Sequence, residues 1–216
     1  MRKAIVSGAN GFVGSAVVKE LISQGYEVYA LVRENHYDQV PINEMVRIVP
    51  FSLENIEALG EVIPINEYEA FYHFAWNGSA GVDRADTALQ LKNAQWTVEC
   101  LQMAKRLGCK RFVPAGSIME HETIAAVYTQ GNRPGAGYIY GSGKVAAHMM
   151  CMSMAVKEGI NLVWPKITNA YGPSERSPRL VNSTIRKCIA GEDPQFTAGT
   201  QNYDFVYIDD VARAFR

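Results

Sequence analysis

Gly8, Gly11 and Gly14, set at three-residue intervals in GANGFVG, constrain this chain more than any other feature. They separate an apolar run, KAIVSG, from an amphipathic stretch, FVGSAVVKELISQG, that stops at Gly25. A strand that turns into a helix through such a loop uses each glycine differently. Gly8 allows the tight turn, Gly11 lets backbone approach a pyrophosphate, and Gly14 lets the helix pack close on the strand. The helix N-terminus then offers free N–H groups and a partial positive charge. The pattern predicts a dinucleotide site in which Gly8, Asn10, Gly11, Phe12, Val13 and Gly14 face the cofactor. The spacing differs from the commoner G-x-G-x-x-G.

Downstream, apolar runs and helical periods keep alternating. YEVYALV and VRIVPF read as strands two and three, NIEALGEVI as a weak helix, and EAFYHFAW as strand four. A long helix is expected over roughly 83–107, a strand at KRFVPAGS, a helix from near Tyr138 to about Glu158, and a strand at INLVWPKIT. This rhythm predicts an α/β fold, a doubly wound parallel sheet of Rossmann type with helices on both faces. After about Tyr171 the pattern loosens. Residues 1–171 are expected to form the dinucleotide-binding domain, and 172–216 part of a smaller substrate-binding lobe with its return elements. The last residues, DDVARAFR, read as a helix capped by Asp209 or Asp210 and still under way at Arg216. The natural protein is expected to continue, and a chain lacking that part is expected to bind cofactor without necessarily turning over.

An acidic residue at the end of strand two would hold the ribose 2′-OH of NAD. Here YALVRE places Arg33 at that point. An arginine suits a 2′-phosphate, so the sequence leans to NADP, with Glu34 as ribose ligand and NAD as the alternative.

In GYIYGSGK, Tyr140 and Lys144 are four residues apart and nearly eclipsed on a helix, so both side chains can address one point. Tyr138, six from the lysine, points elsewhere. Spacing therefore nominates the Tyr140–Lys144 pair.

Composition narrows the partners. Among 216 residues, 21 Lys+Arg against 22 Asp+Glu leave no basic face for nucleic acid. No stretch approaches the ~18 apolar residues of a membrane span. Cys100, Cys109, Cys151 and Cys188 are scattered without a C-x-x-C pair, so neither a disulfide framework nor a metal site is expected. A reducing cytoplasm fits that usage.

The glycine spacing, Gly116-Ser117 after a strand and Tyr140-x-x-x-Lys144 together resemble the extended short-chain dehydrogenase/reductase superfamily. More narrowly, the chain resembles the NAD(P)-dependent epimerase/dehydratase family acting on nucleotide sugars. HFAW at 73–76, Asn93, NAYGP at 169–173 and YDFVYIDDVA at 203–212 extend the likeness over essentially the whole chain. The resemblance implies that Tyr140 exchanges the substrate hydroxyl proton, aided by Lys144, and that Ser117 orients the substrate oxygen for hydride transfer. It places His73 and Ala75 along the cofactor, with a structural histidine as the other reading of His73. It makes Asn93 a support for the serine-bearing region and Asn169 a substrate contact. Relatives commonly dimerise through the two long helices, which fits the methionine-rich AAHMMCMSMAV as core filling or a dimer face.

Departures narrow the reaction. Sugar 4,6-dehydratases carry an acidic pair directly after the catalytic hydroxyl, whereas Ile118 and Met119 follow Ser117 and Glu120 comes one position late. Dehydration is thus disfavoured, leaving epimerisation or ketone reduction. His121 and Glu122 are expected in a solvated loop. Tyr203 and Lys166 stand where the family has arginines, so Arg179 or Arg176 would supply charge to a diphosphate. Reduction of a non-sugar ketone or aldehyde, and a non-catalytic NADP sensor, are the rival functions.

Overall fold

The second strand of the chain, Tyr26–Val32, is buried at all seven positions, as a strand covered on both faces must be. It belongs to a six-stranded parallel sheet. The computed structural model describes residues 1–129 and 135–216. In chain order the sheet strands are β1 (Arg2–Ser7), β2 (Tyr26–Val32), β3 (Val46–Pro50), β4 (Ala70–His73) and β5 (Arg111–Pro114). The sixth is β7 (Asn161–Leu162), and the spatial order is β3-β2-β1-β4-β5-β7. This is the predicted doubly wound sheet. Order reverses between β1 and β4, which pair in register from Ala4↔Ala70 to Ser7↔His73.

Alternation along each strand divides the core in two. Ile5, Tyr29, Leu31, Phe71 and Phe112 face one layer, with Trp96, Cys100 and Met103 of α3 (Thr87–Arg106) and Cys151 and Ala155 of α5 (Ile139–Glu158). Ala4, Val6, Val28 and Ala30 face the other, with Val17 and Leu21 of α1 (Phe12–Ser23) and Val211 and Phe215 of α7 (Ile208–Phe215). The last helix therefore packs back onto the sheet. No helix among the described residues is long and apolar enough to cross a membrane.

Several boundaries differ from the sequence-based expectation. The weak helix after β3 is a 3-10 turn (Leu53–Ala58) run into one α-turn, α2 (Leu59–Val62), because Asn55 leaves helical geometry at φ −136° and ψ 60°. The long helix begins only at Thr87, where the Asp86 carboxylate accepts from the Leu89 N–H at 3.0 Å. The expected strand at INLVWPKIT is two short pieces. β7 joins the main sheet, while β8 (Lys166–Ile167) pairs with β6 (Gly116–Ser117). The expected loop holding His121 and Glu122 is a helix, α4 (Met119–Thr129), although both side chains are exposed. In the final helix Asp209 and Asp210 occupy the first turn, where they suit the dipole, and Tyr207 is the capping position. The last elements are β9 (Asn169–Tyr171), α6 (Leu180–Ile189) and β10 (Phe205–Tyr207), with β9 and β10 paired.

Candidate active site

At the C-terminal edge of β1, Gly8 adopts φ +67°, a conformation strained for any side chain. A Cβ there would lie 2.7 Å from the Ala75 nitrogen, so the turn also presses against the segment leaving β4. A Cβ on Gly14 would lie 2.2 Å from the Gly8 carbonyl oxygen, which fixes how close α1 approaches the turn. Gly11 caps α1 without a side-chain bond, leaving the first N–H groups of the helix open toward a cleft. Gly11, Phe12, Val13 and Gly14 line that cleft. Asn10 is on the wall of an adjoining cavity, and its side chain is engaged: its Oδ1 accepts from the Gln39 N–H at 2.6 Å, and its Nδ2 donates to Asp38 at 3.0 Å. It ties the glycine loop to the segment after β2.

Two cavities meet at this loop. One, of about 270 Å³, is lined by Gly8, Arg33, His36, Phe51, Leu53, Ala75 and Trp76, so Arg33 reaches a cavity wall from the end of β2. The other, of about 480 Å³, runs from Gly11 past Trp76 to Ser117, Tyr140 and Lys144, and on to Arg179. Gly8, Gly11, Phe74, Trp76 and Ser79 belong to both walls. The sequence-predicted triad thus converges on a single cleft, with Ser117 from β6 and Tyr140 and Lys144 from adjacent turns of α5.

The electrostatics of the triad follow from burial and neighbours. Lys144 donates from Nζ to the Ala115 carbonyl at 2.9 Å, and its ammonium lies 3.6 Å over the Trp76 ring. Burial brings this ammonium down to about 7, opposed by the Glu120 charge. Burial pushes the Tyr140 phenol up, while Arg84, the Ser117 hydroxyl and Arg179 pull it back down. Trp76 meets the Tyr140 ring edge-on at 5.9 Å, its indole anchored by a 2.8 Å bond to Gln90.

His73, for which the sequence left a cofactor-side and a structural reading open, lines neither of these two cavities. It is 3% exposed, its Nδ1 2.8 Å from the Ser7 hydroxyl and its Nε2 3.5 Å from Thr97. The ring is enclosed between β1, β4 and α3, beneath the cleft, where burial lowers it to about 3. Asn93, expected to steady the serine-bearing segment, instead brackets Asn77: its Oδ1 accepts from the Asn77 N–H at 2.9 Å and its Nδ2 donates to the Asn77 carbonyl at 2.8 Å. The support goes to the loop leaving β4.

Sequence reasoning passed over what holds Ser117. Glu120 is 1% exposed, and its Oε1 accepts from the Ser117 N–H at 2.8 Å and from the Trp164 indole at 3.0 Å. Its Oε2 lies 2.8 Å from His148 Nδ1 and 3.8 Å from Lys166 Nζ, and the His148 ring stacks on Trp164 at 4.4 Å. A Cβ on Gly116 would sit 2.4 Å from the same indole nitrogen. Only the position of Glu120, three residues after Ser117 at the start of a helix, hinted at this arrangement. Lys166 is engaged here and with His121, 3.2 Å away.

Asn169 lies outside the Tyr140 cleft. It lines a third cavity, about 580 Å³, with Phe196, Tyr203 and Phe205, and Arg179 lines both this cavity and the cleft. Arg176 turns outward to Asp38 at 3.3 Å.

Comparison with known proteins gives this geometry its context. The chain is 26% identical to UDP-glucuronic acid decarboxylase 1 of Xenopus tropicalis over 97% of its own length and 52% of that protein. It is 26% identical to the dTDP-6-deoxy-L-talose 4-dehydrogenase (NAD(+)) of Aggregatibacter actinomycetemcomitans, over 96% of the chain and 76% of that protein. It thus spans about half the length of the decarboxylase. A UDP-N-acetylglucosamine 4-epimerase from Methanobrevibacter ruminantium M1, solved with UDP-N-acetylmuramic acid, shares the fold with a TM-score of 0.80. The identity is 20%, over 99% of this chain and 71% of that one. The model of the NAD dependent epimerase/dehydratase family matches residues 4–216, and the chain belongs to that family.

Proposed function

We propose that this protein is an NAD(P)-dependent epimerase or reductase that acts on a nucleotide-linked sugar by hydride transfer, with Tyr140 as its acid–base residue. The observation that carries the reading is the convergence of Ser117, Tyr140 and Lys144 on a cleft that begins at the glycine loop. The residues fit a dinucleotide. Side chains at Gly8 and Gly14 would fill the loop, and open N–H groups at the start of α1 suit a pyrophosphate. Phe12 and Val13 line the nicotinamide side, and Arg33 and Ala75 the adenosine side. When bound, the nicotinamide accepts or returns hydride at a sugar carbon.

The remaining steps fall to side chains. Ser117 holds the substrate hydroxyl, and Tyr140 takes its proton as hydride leaves or returns it as hydride arrives. Lys144 favours the ionised phenol while it remains charged. Arg179, at the junction of two cavities, would bind the diphosphate, and Asn169, Tyr203 and Phe205 would receive the nucleotide. Arg33 favours NADP by its charge at the end of β2. A homodimer through α3 and α5 is supported by the exposure of Met149, Met150 and Met152 on α5.

Full-length protein would be incubated with NADPH or NADH and a nucleotide-linked 4-keto-6-deoxy sugar, following loss of reduced nicotinamide. Oxidation faster with NADPH supports both the reductase assignment and the role of Arg33. No oxidation, with interconversion of UDP-hexose epimers instead, selects the epimerase. Neither reaction, in protein that binds the cofactor, would count against the sugar-nucleotide assignment.

A further inference from the structure

The turn Val82–Ala85 brings a cation to Tyr140 that the triad does not include. Arg84 Cζ lies 4.1 Å from the centroid of the Tyr140 ring, closer than the Lys144 ammonium at 5.9 Å. The guanidinium is fixed by a 2.8 Å bond from Nη1 to the Ser79 carbonyl. The turn is held in place by buried Gln90, whose Nε2 donates to the carbonyls of Asp83 at 2.9 Å and Gly78 at 3.1 Å. Among the described residues Arg84 makes no ion pair.

We propose that Arg84 is the standing positive charge behind Tyr140, a positioning residue that favours the ionised phenol through the face of its ring. The inference rests on Tyr140 being the acid–base residue. Lys144 stands farther from the ring than Arg84, 5.9 Å against 4.1 Å, and burial lowers its ammonium. An arginine keeps its charge throughout the working range and prefers to lie flat on an aromatic face. An ionised phenol is richer in electrons than a neutral one, so the stacked cation favours ionisation. The other groups facing Tyr140 do not substitute for it. Ser117 offers a neutral hydroxyl, Arg179 acts from the far wall and lowers the phenol less than Arg84 does, and Glu120 opposes ionisation. Trp76 contributes only a ring edge.

Nitration by tetranitromethane tests this without substrate or cofactor, because the reagent attacks the phenolate. Wild type, Arg84→Met and Arg84→Lys would be compared at about pH 8, reading Tyr140 by mass spectrometry with the exposed Tyr37 as internal reference. Methionine preserves cover over the ring and removes the charge; lysine restores the charge. Tyr140 should nitrate about tenfold more slowly in Arg84→Met and within about threefold of wild type in Arg84→Lys. Were Arg84 merely a cover, Arg84→Met would nitrate as fast as wild type or faster, and the proposal would fall. In turnover, the rising limb of kcat against pH should move to higher pH in Arg84→Met with KM little changed. A raised KM with an unmoved limb would make Arg84 a substrate anchor and overturn its role behind Tyr140. Failure of the enzymatic reading would appear separately, as unimpaired turnover in Tyr140→Phe, and leaves the nitration result standing.

Discussion

Ser117 owes its position to a carboxylate. Glu120 bonds the Ser117 N–H, the Trp164 indole and His148 from a site closed to water. Glu120→Ala would leave those donors buried without an acceptor, and we expect a loss of about 3 kcal/mol in urea unfolding. Glu120→Gln keeps an acceptor for Ser117 and should cost less than half of that. Equal stability of Glu120→Ala and wild type would show that the network holds nothing in place. His73 makes a separate pH prediction. In the unfolded chain it binds a proton as pH falls through 6.5, whereas in the folded chain it stays neutral until about 3. The unfolded state therefore binds more protons in that window, and stability falls as pH drops through it. Between pH 6 and 5, wild type should lose about 1.2 kcal/mol more than His73→Gln. Parallel stability curves for the two proteins would contradict a buried neutral imidazole.

The glycine loop is the element on which the fold turns. A Cβ at Gly14 meets the Gly8 carbonyl at 2.2 Å, but one at Gly11 meets it at 3.2 Å, within reach of a small shift. Gly14→Ala should lower stability by about 2 kcal/mol or more and weaken NAD(H) binding in calorimetry. Gly11→Ala should fold nearly as well as wild type; comparable damage from both would deny the loop its packing role. This loop, β1, β2 and the Tyr140–Lys144 turn were legible in the sequence because local spacing alone decides them. Less legible elements depended on distant partners. α4 carries Glu120 inward toward Trp164 and His148, contacts made across 44 and 28 residues, so His121 and Glu122 read as part of a loop. The INLVWPKIT segment split because β8 pairs with β6 and not with the main sheet. Asn93 and His73 were legible as family positions, but their partners, Asn77 and Ser7, are set by tertiary packing.

Across the whole molecule, the reversal of strand order between β1 and β4 creates the crevice in which the glycine loop, Trp76 and Tyr140 share one wall. The two sheet faces are covered by different helices, so α5 can present Tyr140 and Lys144 to the crevice while Cys151 and Ala155 stay in the core. Arg179 lines both this crevice and the cavity that holds Asn169 and Tyr203. On the proposed function, binding and chemistry fall to different residues: the glycine loop would grip the dinucleotide, and Tyr140 would move the proton. The most direct test is Tyr140→Phe in full-length protein, with NADH affinity and sugar-nucleotide turnover measured on the same preparation. Removing only the hydroxyl should leave affinity within about twofold and lower turnover by roughly a thousandfold. Turnover at the wild-type level would remove Tyr140 from the mechanism and leave the cleft without its acid–base residue.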